Sequence, residues 1–300
     1  MTPEKLIHIA IVGRPNVGKS TLLNRIVGEK ITITSHKPQT TRHRILGIKT
    51  IDAVQMVYID TPGLQKEPQQ ALHKYMNRLV SHVVDDVDVV LFVVEALHFN
   101  EADAKVVMRL KNTEIPIILA INKIDEVADK TALLPFIESM QKELTFKHII
   151  PLSARKNIGI DTLEKAIADL APERAHEYAE DDITDRSLRF SVAEVIREKL
   201  TRYLNQELPY ALSVQIEVYK EKKNSVEIQA LIVVNKASQK KIIIGKHGEM
   251  LKEIGTKARM DIEKILDKKV FLKLWVKVQE GWANDERHLR ELGYDLDGDE

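Results

Sequence analysis

Residues 13 to 20 read GRPNVGKS and follow directly on an apolar run, LIHIAIVG, residues 6 to 13. The match to G-x-x-x-x-G-K-[ST] comes after a strand-like segment and opens a stretch of helical spacing from about Lys19 to Gly28. No other feature constrains the chain so tightly. A strand must end, the backbone must curl at Gly13 and Gly18, and a helix must begin with its N–H groups aimed at an anion. Lys19 then supplies a point charge between β- and γ-phosphate, and Ser20 offers a hydroxyl to Mg²⁺. A chance glycine-rich turn would lack the strand before it and the helix after it.

The rest of the first half alternates in the same way. RILGIKTI and VQMVYIDT read as paired strands around a turn at Asp52. QQALHKYMNRLVSHV has helical spacing, as do segments near 101–112, 130–143 and 158–170. DVVLFVVE and IPIILAIN are continuous apolar runs, the mark of parallel strands covered on both faces, and HIIPLSA supplies a last strand. The order predicts a three-layer α/β domain with a mostly parallel sheet and helices on both faces. Ligands on such sheets bind at the carboxyl ends of the strands, where the motifs fall.

A P-loop does not choose a base. INKID does so, with Asn122, Lys123, Ile124 and Asp125 after a buried strand. A fixed carboxylate at Asp125 accepts from both N1–H and the 2-amino group of guanine. Adenine offers neither donor, and losing two charge-assisted hydrogen bonds costs about 3–6 kcal/mol, on the order of 10²–10⁴ in preference. Lys123 can lay its stem on the base plane, and Asn122 can brace the P-loop. Ser153 and Ala154 follow the next strand and suit a backbone N–H aimed at guanine O6. The expected GTP-binding set is therefore Gly13, Arg14, Pro15, Asn16, Val17, Gly18, Lys19, Ser20, Thr21, Asp60, Thr61, Pro62, Gly63, Leu64, Asn122, Lys123, Ile124, Asp125, Ser153 and Ala154.

Between these motifs, TSHKPQTTRHR (34 to 44) is polar and aperiodic, as a switch loop must be. Thr41 is the candidate for a second hydroxyl on Mg²⁺, with Thr40 the alternative. His36 and His43 read as exposed loop histidines. Asp60, in DTPG, would hold the metal through water, and the Gly63 N–H would touch the γ-phosphate. Many GTPases place a Gln after that glycine to orient water. Here Leu64 stands there and Gln65 comes one position later. Catalysis would then rest on Lys19, Thr41, Asp60, Gly63 and the backbone, with intrinsic turnover slow.

After LAPERAHEYAEDD (170 to 182) the pattern changes. Residues 1–172 are expected to form the nucleotide domain, 173–182 a linker, and 183–300 a second domain. DITDRSLRFSVAEVIREKLTRYLNQELPY reads as one long helix with a stripe of Leu188, Val192, Val195, Ile196, Leu200, Tyr203 and Leu204. Two strands follow, LSVQIEVYK and VEIQALIVV, joined by a charged turn near 221–224. Next come a short helix, the loop Gly245-Lys246-His247-Gly248, a longer helix and a strand at 270–278. This is the layout of an α+β KH domain of the second topological type. A GxxG loop lets a nucleic-acid backbone lie close, beside a groove for about four unstacked bases. Lys236, Lys240, Lys241 and Lys246 would neutralise phosphates. Residues 220–277 carry 15 Lys+Arg against 7 Asp+Glu, whereas 280–300 carry 2 against 8. The basic excess thus coincides with the groove, and the acidic terminus reads as a tail. GWANDERHLRELGY reads as a short final helix, with Trp282 packed against the domain.

The whole chain has 45 Lys+Arg and 45 Asp+Glu, so only local charge is informative. It has no cysteine, which excludes disulfides and Cys-ligated metals and is compatible with a reducing cytosol. No apolar run approaches the ~20 residues that span a bilayer, and no secretory leader is evident. No heptad or exposed apolar stripe argues for an obligate dimer, so a monomer is expected.

GRPNVGKS, PQTTRHRI, DTPGL, NKID and SA, followed by a domain with IIIGKHG, resemble the Era-like family of bacterial ribosome-assembly GTPases with a C-terminal KH domain. The resemblance covers essentially the whole chain. It implies GTP hydrolysis with Mg²⁺, binding to the 3′ end of 16S rRNA rather than to DNA, and a role in maturing the 30S subunit. It also implies a cytoplasmic protein found partly at the inner membrane, for which the sequence shows no amphipathic anchor. Asn16 resembles the Asn that holds K⁺ in related GTPases, where the cation does part of an arginine finger's work. Two other readings stand beside this one: an RNA-binding adaptor with a vestigial pocket, and a membrane-surface GTPase linked to cell division or lipid traffic.

Overall fold

The apolar run at the N-terminus forms β1 (Lys5–Val12), and the P-loop leads from it into α1 (Lys19–Val27). The structure is a computed structural model that describes residues 3–35, 37, 40–62, 71–204 and 208–294. The chain divides into two compact units, the first within residues 1–32, 41–66 and 76–185, the second within 33–40, 67–75 and 186–300.

In the first unit β2 (Ile45–Ile51) and β3 (Val54–Asp60) form a hairpin whose turn holds Asp52 at φ 51°. They are followed by α2 (Ala71–Asp85), β4 (Val89–Glu95), α3 (Glu101–Leu110), β5 (Ile117–Asn122), α4 (Leu133–Glu143), β6 (His148–Pro151) and α5 (Ile160–Ala168). The sheet order is β2-β3-β1-β4-β5-β6, parallel throughout except for β2 against β3. Side chains alternate across it. Ile7, Ile9 and Ile11 pack with Leu22, Leu23 and Ile26 of α1 and Leu163 and Ile167 of α5. Leu6, Ala10 and Val12 pack on the other face with Val106, Val107 and Leu110 of α3 and Met140 of α4. Both faces are covered, which is why the central strands read as unbroken apolar runs. The strand order brings the carboxyl ends of the parallel strands β1, β3, β4, β5 and β6 to one edge of the sheet: GRPNVGKS follows β1, DTPG begins at the end of β3, NKID begins at the end of β5, and Ser153–Ala154 follow β6.

The stretch after α5 is hydrogen-bonded to this unit. Arg174 pairs with Asp88, the N–H groups of Glu177 and Tyr178 donate to buried Gln55 Oε1, and Ile48 N–H donates to Ile183 O. Its polar composition, read as that of a linker, supplies the partners for these bonds.

The second unit has α6 (Leu188–Tyr203), β7 (Leu212–Lys222), β8 (Ser225–Val234), α7 (Ala237–Ile244), α8 (Glu249–Leu266), β9 (Lys269–Val278) and α9 (Glu286–Glu291). The sheet order is β7-β8-β9, antiparallel then parallel. Ile228, Ala230, Ile232 and Val234 of β8 meet Val192, Ile196 and Leu200 of α6 and Ile254, Ala258 and Ile262 of α8 in one core. Trp282 is fully buried and donates from Nε1 to Ala211 O, as its packing role requires.

The long helix read from about residue 182, ending before Pro209, is shorter in the structure. Ser187 caps its start by accepting from Phe190 N–H, and Leu204 is extended at ψ 145°, which ends it. Leu188 is 52% exposed and lies outside the buried stripe. It is the first residue of the helix, on the same side as Val192 but beyond the buried core, and helical period alone could not show where the packing begins. The charged turn is also tighter than 221–224, because Lys222 and Ser225 still pair.

Phe92 is completely buried at the centre of β4, and its replacement by alanine is expected to cost about 3–5 kcal/mol. Leu188→Ala is expected to change stability by under about 0.5 kcal/mol. Equilibrium denaturation of the two variants measures the contrast.

Candidate functional site

The P-loop curls over its own lysine. Lys19 opens α1, is 7% exposed, and donates from Nζ to the carbonyls of Gly13 (2.9 Å) and Arg14 (3.0 Å). Burial lowers its pKa to about 8, partly opposed by the Asp60 charge. Gly18 adopts φ +102°, and a Cβ there would lie 2.3 Å from Asn122 Nδ2, so the loop requires glycine on two counts. Asn16 sits exposed at the turn with φ 68°. Pro15 beside it is half-buried, Val17 is buried, and Thr21 lies in the first turn of α1.

At the mouth of α1 three oxygens gather. Ser20 Oγ donates to Asp60 Oδ2 at 2.7 Å, Thr41 Oγ1 donates to the same oxygen at 3.3 Å, and the two hydroxyls lie 3.0 Å apart. Asp60 is 0% exposed and its Oδ1 has no hydrogen-bond partner among the described residues. Burial raises its pKa despite Lys19 and both hydroxyls. An orphaned buried carboxylate oxygen beside two hydroxyls suits a hard divalent cation that keeps waters and takes phosphate ligands. These residues therefore fit Mg²⁺. Thr40 does not join them: its hydroxyl donates to Lys37 O at 2.7 Å. Thr61 Oγ1 donates to Ile11 O and, with Pro62, is buried. Gly63, Leu64, Gln65 and His36 lie outside the described residues. His43 is 8% exposed, contrary to the reading as an exposed loop residue, because the chain after Thr41 turns inward toward β2.

The base-recognition loop is braced in depth. Asn122 Nδ2 donates to Val17 O at 2.8 Å, and its Oδ1 accepts from Ala154 N–H at 3.0 Å. Lys123 takes the left-handed conformation at φ 65°, followed by buried Ile124. Asp125 accepts from Ser153 Oγ at 2.5 Å, and this bond first of all holds its carboxyl below the usual range. In the Ser153–Ala154 turn, expected to aim a backbone N–H at guanine O6, both N–H groups have protein acceptors. Ser153 N–H donates to Ile158 O and Ala154 N–H to Asn122, because the same turn that carries these residues also anchors the asparagine. Sequence reasoning also missed two carboxylates. Arg14 pairs with Glu95 at 2.7 Å and with Asp103 at 3.0 Å, and Lys123 pairs with Glu95 at 2.9 Å. Neither carboxylate belongs to a motif.

The loop read as a switch is held in parts. Within the second unit, Thr34 O accepts from Arg202, Lys37 Nζ donates to Thr201 O (2.6 Å) and Leu204 O, and Thr40 O accepts from Arg197. Thr41, the next residue, belongs to the oxygen cluster of the first unit.

In the second unit Gly245 (φ +72°) closes α7, and a Cβ on it would lie 2.6 Å from that of Met250. Lys246, His247 and Gly248 form a tight turn with His247 at φ 51°, and Gly248 opens α8. Lys236, Lys241, Lys246 and His247 are exposed and Lys240 is half-exposed, so the cations expected at phosphates do face solvent.

The fold and this geometry define a P-loop GTPase joined to a KH domain. The profile described as 50S ribosome-binding GTPase matches residues 8–123, and the one described as KH domain matches residues 207–283. The GTPase Era of Glaesserella parasuis serovar 5 is 52% identical over 297 residues, 98% of this chain and 99% of that protein. That of Haemophilus influenzae strain PittGG is 51% identical, covering 95% of each. A crystal structure of Era in complex with MgGDPNP and nucleotides 1506–1542 of 16S ribosomal RNA matches with a TM-score of 0.93 and 38% identity. It covers 98% of this chain and 100% of that one. An Aquifex aeolicus Era variant bound to GDP·AlF4⁻ also gives 0.93, with 37% identity and 97% and 100% coverage. The chain belongs to the Era family of GTPases. The membrane-surface alternative gains no support from these relatives. Among the described residues no helix is long and apolar enough to cross a membrane.

Asp125→Asn keeps one acceptor and gains a donor. It is expected to lose about 10²–10⁴ in affinity for guanine nucleotides. Part of that affinity should return for xanthine nucleotides, whose 2-oxo group accepts from the new amide. Competition binding with GDP, XDP and ADP measures the change.

Proposed function

We propose that the protein is a GTP-hydrolysing switch that binds the 3′ end of 16S rRNA through its KH domain and assists 30S subunit assembly. The observation that carries this reading is the near full-length likeness to an Era bound at once to MgGDPNP and to nucleotides 1506–1542 of 16S rRNA. The residues of this chain suit each part.

The P-loop amides and Lys19 bind the phosphates, and Asp125, held by Ser153, selects guanine. Ser20, Thr41 and Asp60 hold Mg²⁺, which when bound neutralises charge on the β- and γ-phosphates. Phosphoryl transfer depends mostly on positioning and charge neutralisation, so the absence of Gln at position 64 slows the reaction without abolishing it. Asn16, at the exposed turn of the loop, supplies a ligand for K⁺. Gly245 and Gly248 admit the RNA backbone, while Lys236, Lys240, Lys241, Lys246 and His247 approach its phosphates. Nucleotide state felt at Thr41 passes along the chain to Thr40 and Thr34, whose carbonyls accept from Arg197 and Arg202 of α6. The protein works as a monomer in the cytoplasm, with any membrane contact peripheral.

The deciding experiment measures GTP hydrolysis in K⁺ and in Na⁺, with and without a single-stranded 16S 3′-end oligonucleotide. Turnover is expected to be slow alone and faster in K⁺, with the cation difference lost in Asn16→Ala. Absence of turnover in every condition overturns the reading. Equal rates in both salts overturn the K⁺ part. For RNA, Lys246→Ala is expected to weaken oligonucleotide binding and to reduce the slope of log affinity against log salt by roughly 0.7, as for one lost phosphate contact on a single strand. A salt titration with labelled RNA checks it.

A further inference from the structure

Glu95 ends β4 directly beside Asn122, the last residue of β5, so strand pairing brings it level with the base-recognition loop. Its Oε2 accepts from two cations on two different motifs: Arg14 Nη2 of the P-loop at 2.7 Å and Lys123 Nζ of the base loop at 2.9 Å. Behind Arg14 stands Asp103, which is 0% exposed. Its Oδ2 accepts from Arg14 Nε at 3.0 Å and from the Asn100 N–H at 3.0 Å, so the capping turn of α3 fixes this carboxylate. The guanidinium is therefore gripped from two sides. It is turned toward carboxylates, although Arg14 and Lys19 are the two basic residues of GRPNVGKS.

The geometry points to Glu95 and Asp103 as positioning residues for the guanine nucleotide. Together they lock Arg14 and Lys123, so that the phosphate loop and the lysine stem that lies on the base are set before the ligand arrives, and the nucleotide leaves slowly. This rests on the reading of the P-loop and Lys123 as nucleotide contacts. An exposed ion pair would contribute almost nothing, since both long side chains must be ordered and salt screens the charges. These side chains are not exposed: Arg14 is 14% and Glu95 19% accessible. Burial alone would push the Glu95 carboxyl up, and the hydrogen bonds from Lys123 and Arg14 more than reverse that, holding it below the usual carboxylate range. One shared oxygen also fixes the distance between the two motifs, as separate pairs would not. Asn122 is the neutral tie between the same loops, and Glu95 is the charged one.

Freeing two rotamer-rich side chains should weaken nucleotide retention on the order of tenfold. Arg14 is assigned no contact with the transferring phosphate, so the chemical step should be spared. The test uses the full chain with Mg²⁺, loaded with a fluorescent methylanthraniloyl-GDP and chased with excess GDP, alongside steady-state GTP hydrolysis. Glu95→Ala is expected to release nucleotide about ten times faster and to raise KM for GTP, with kcat within about twofold. Glu95→Gln, which keeps the shape and an acceptor but loses the charge, should fall between it and the unaltered protein. Asp103→Asn should act in the same direction more weakly. On an Arg14→Ala/Lys123→Met background, Glu95→Ala should change release by less than about twofold, because its partners are gone. Release at the unaltered rate in both Glu95 variants overturns the proposal, and so does a fall in kcat with KM unchanged. If Glu95→Ala fails to fold, the Glu95→Gln variant alone decides by the same criteria. Failure of the unaltered protein to bind methylanthraniloyl-GDP would instead refute the nucleotide-site reading on which the inference stands.

Discussion

Both ends of the Asn122 amide are used inside the protein. Its Nδ2 holds the P-loop at Val17 O and its Oδ1 holds the Ser153–Ala154 turn at the Ala154 N–H. Three loops from three strand ends therefore share one buried side chain. Removing it would leave a buried carbonyl and a buried N–H without partners, about 1–3 kcal/mol for each. The arrangement exists because β5 lies next to β4, which lies next to β1, all parallel. It also explains Gly18: the amide approaches so closely that a Cβ would collide with it.

Around this neutral tie the site holds charge in a poised state. Burial draws Lys19 down toward neutrality and pushes Asp60 up, each opposing its charged form. Phosphates favour the charged lysine and a divalent cation favours the charged aspartate. The protein thus keeps a pair of desolvated groups whose charges the ligand stabilises, the general device by which a site prefers its complex to its empty form. Asp125 works in the opposite sense. The Ser153 hydroxyl holds it ionised, so an acceptor is ready for guanine.

The glycine loop of the second unit is different: it has no buried lysine, and the cations around Gly245–Gly248 are exposed side chains open to solvent. The α6 helix adds a separate feature. Arg202, Lys37 and Arg197 contribute hydrogen bonds that fasten Thr34, Lys37 and Thr40, and Thr40 runs directly into Thr41.

The sequence by itself determined the elements that local pattern controls. GRPNVGKS, NKID and the continuous apolar runs at 89–95 and 117–122 announced the strand-loop-helix units, because glycine placement and hydrophobic period act within a few residues. The same held for the helix pair flanking GKHG. Tertiary structure alone decided the limits and the long-range partners. Whether Leu188 belonged to a buried stripe depended on where α6 meets β8. Whether His43 faced water depended on how the loop enters β2. Whether Ala154 had a spare N–H depended on Asn122, 32 residues away. Glu95 and Asp103 stand 81 and 89 residues from Arg14 and carry no motif, so nothing local marks them. The order of strands in the sheet carries such residues to one edge, and that order is fixed by the packing of whole faces, which no single stretch of sequence contains.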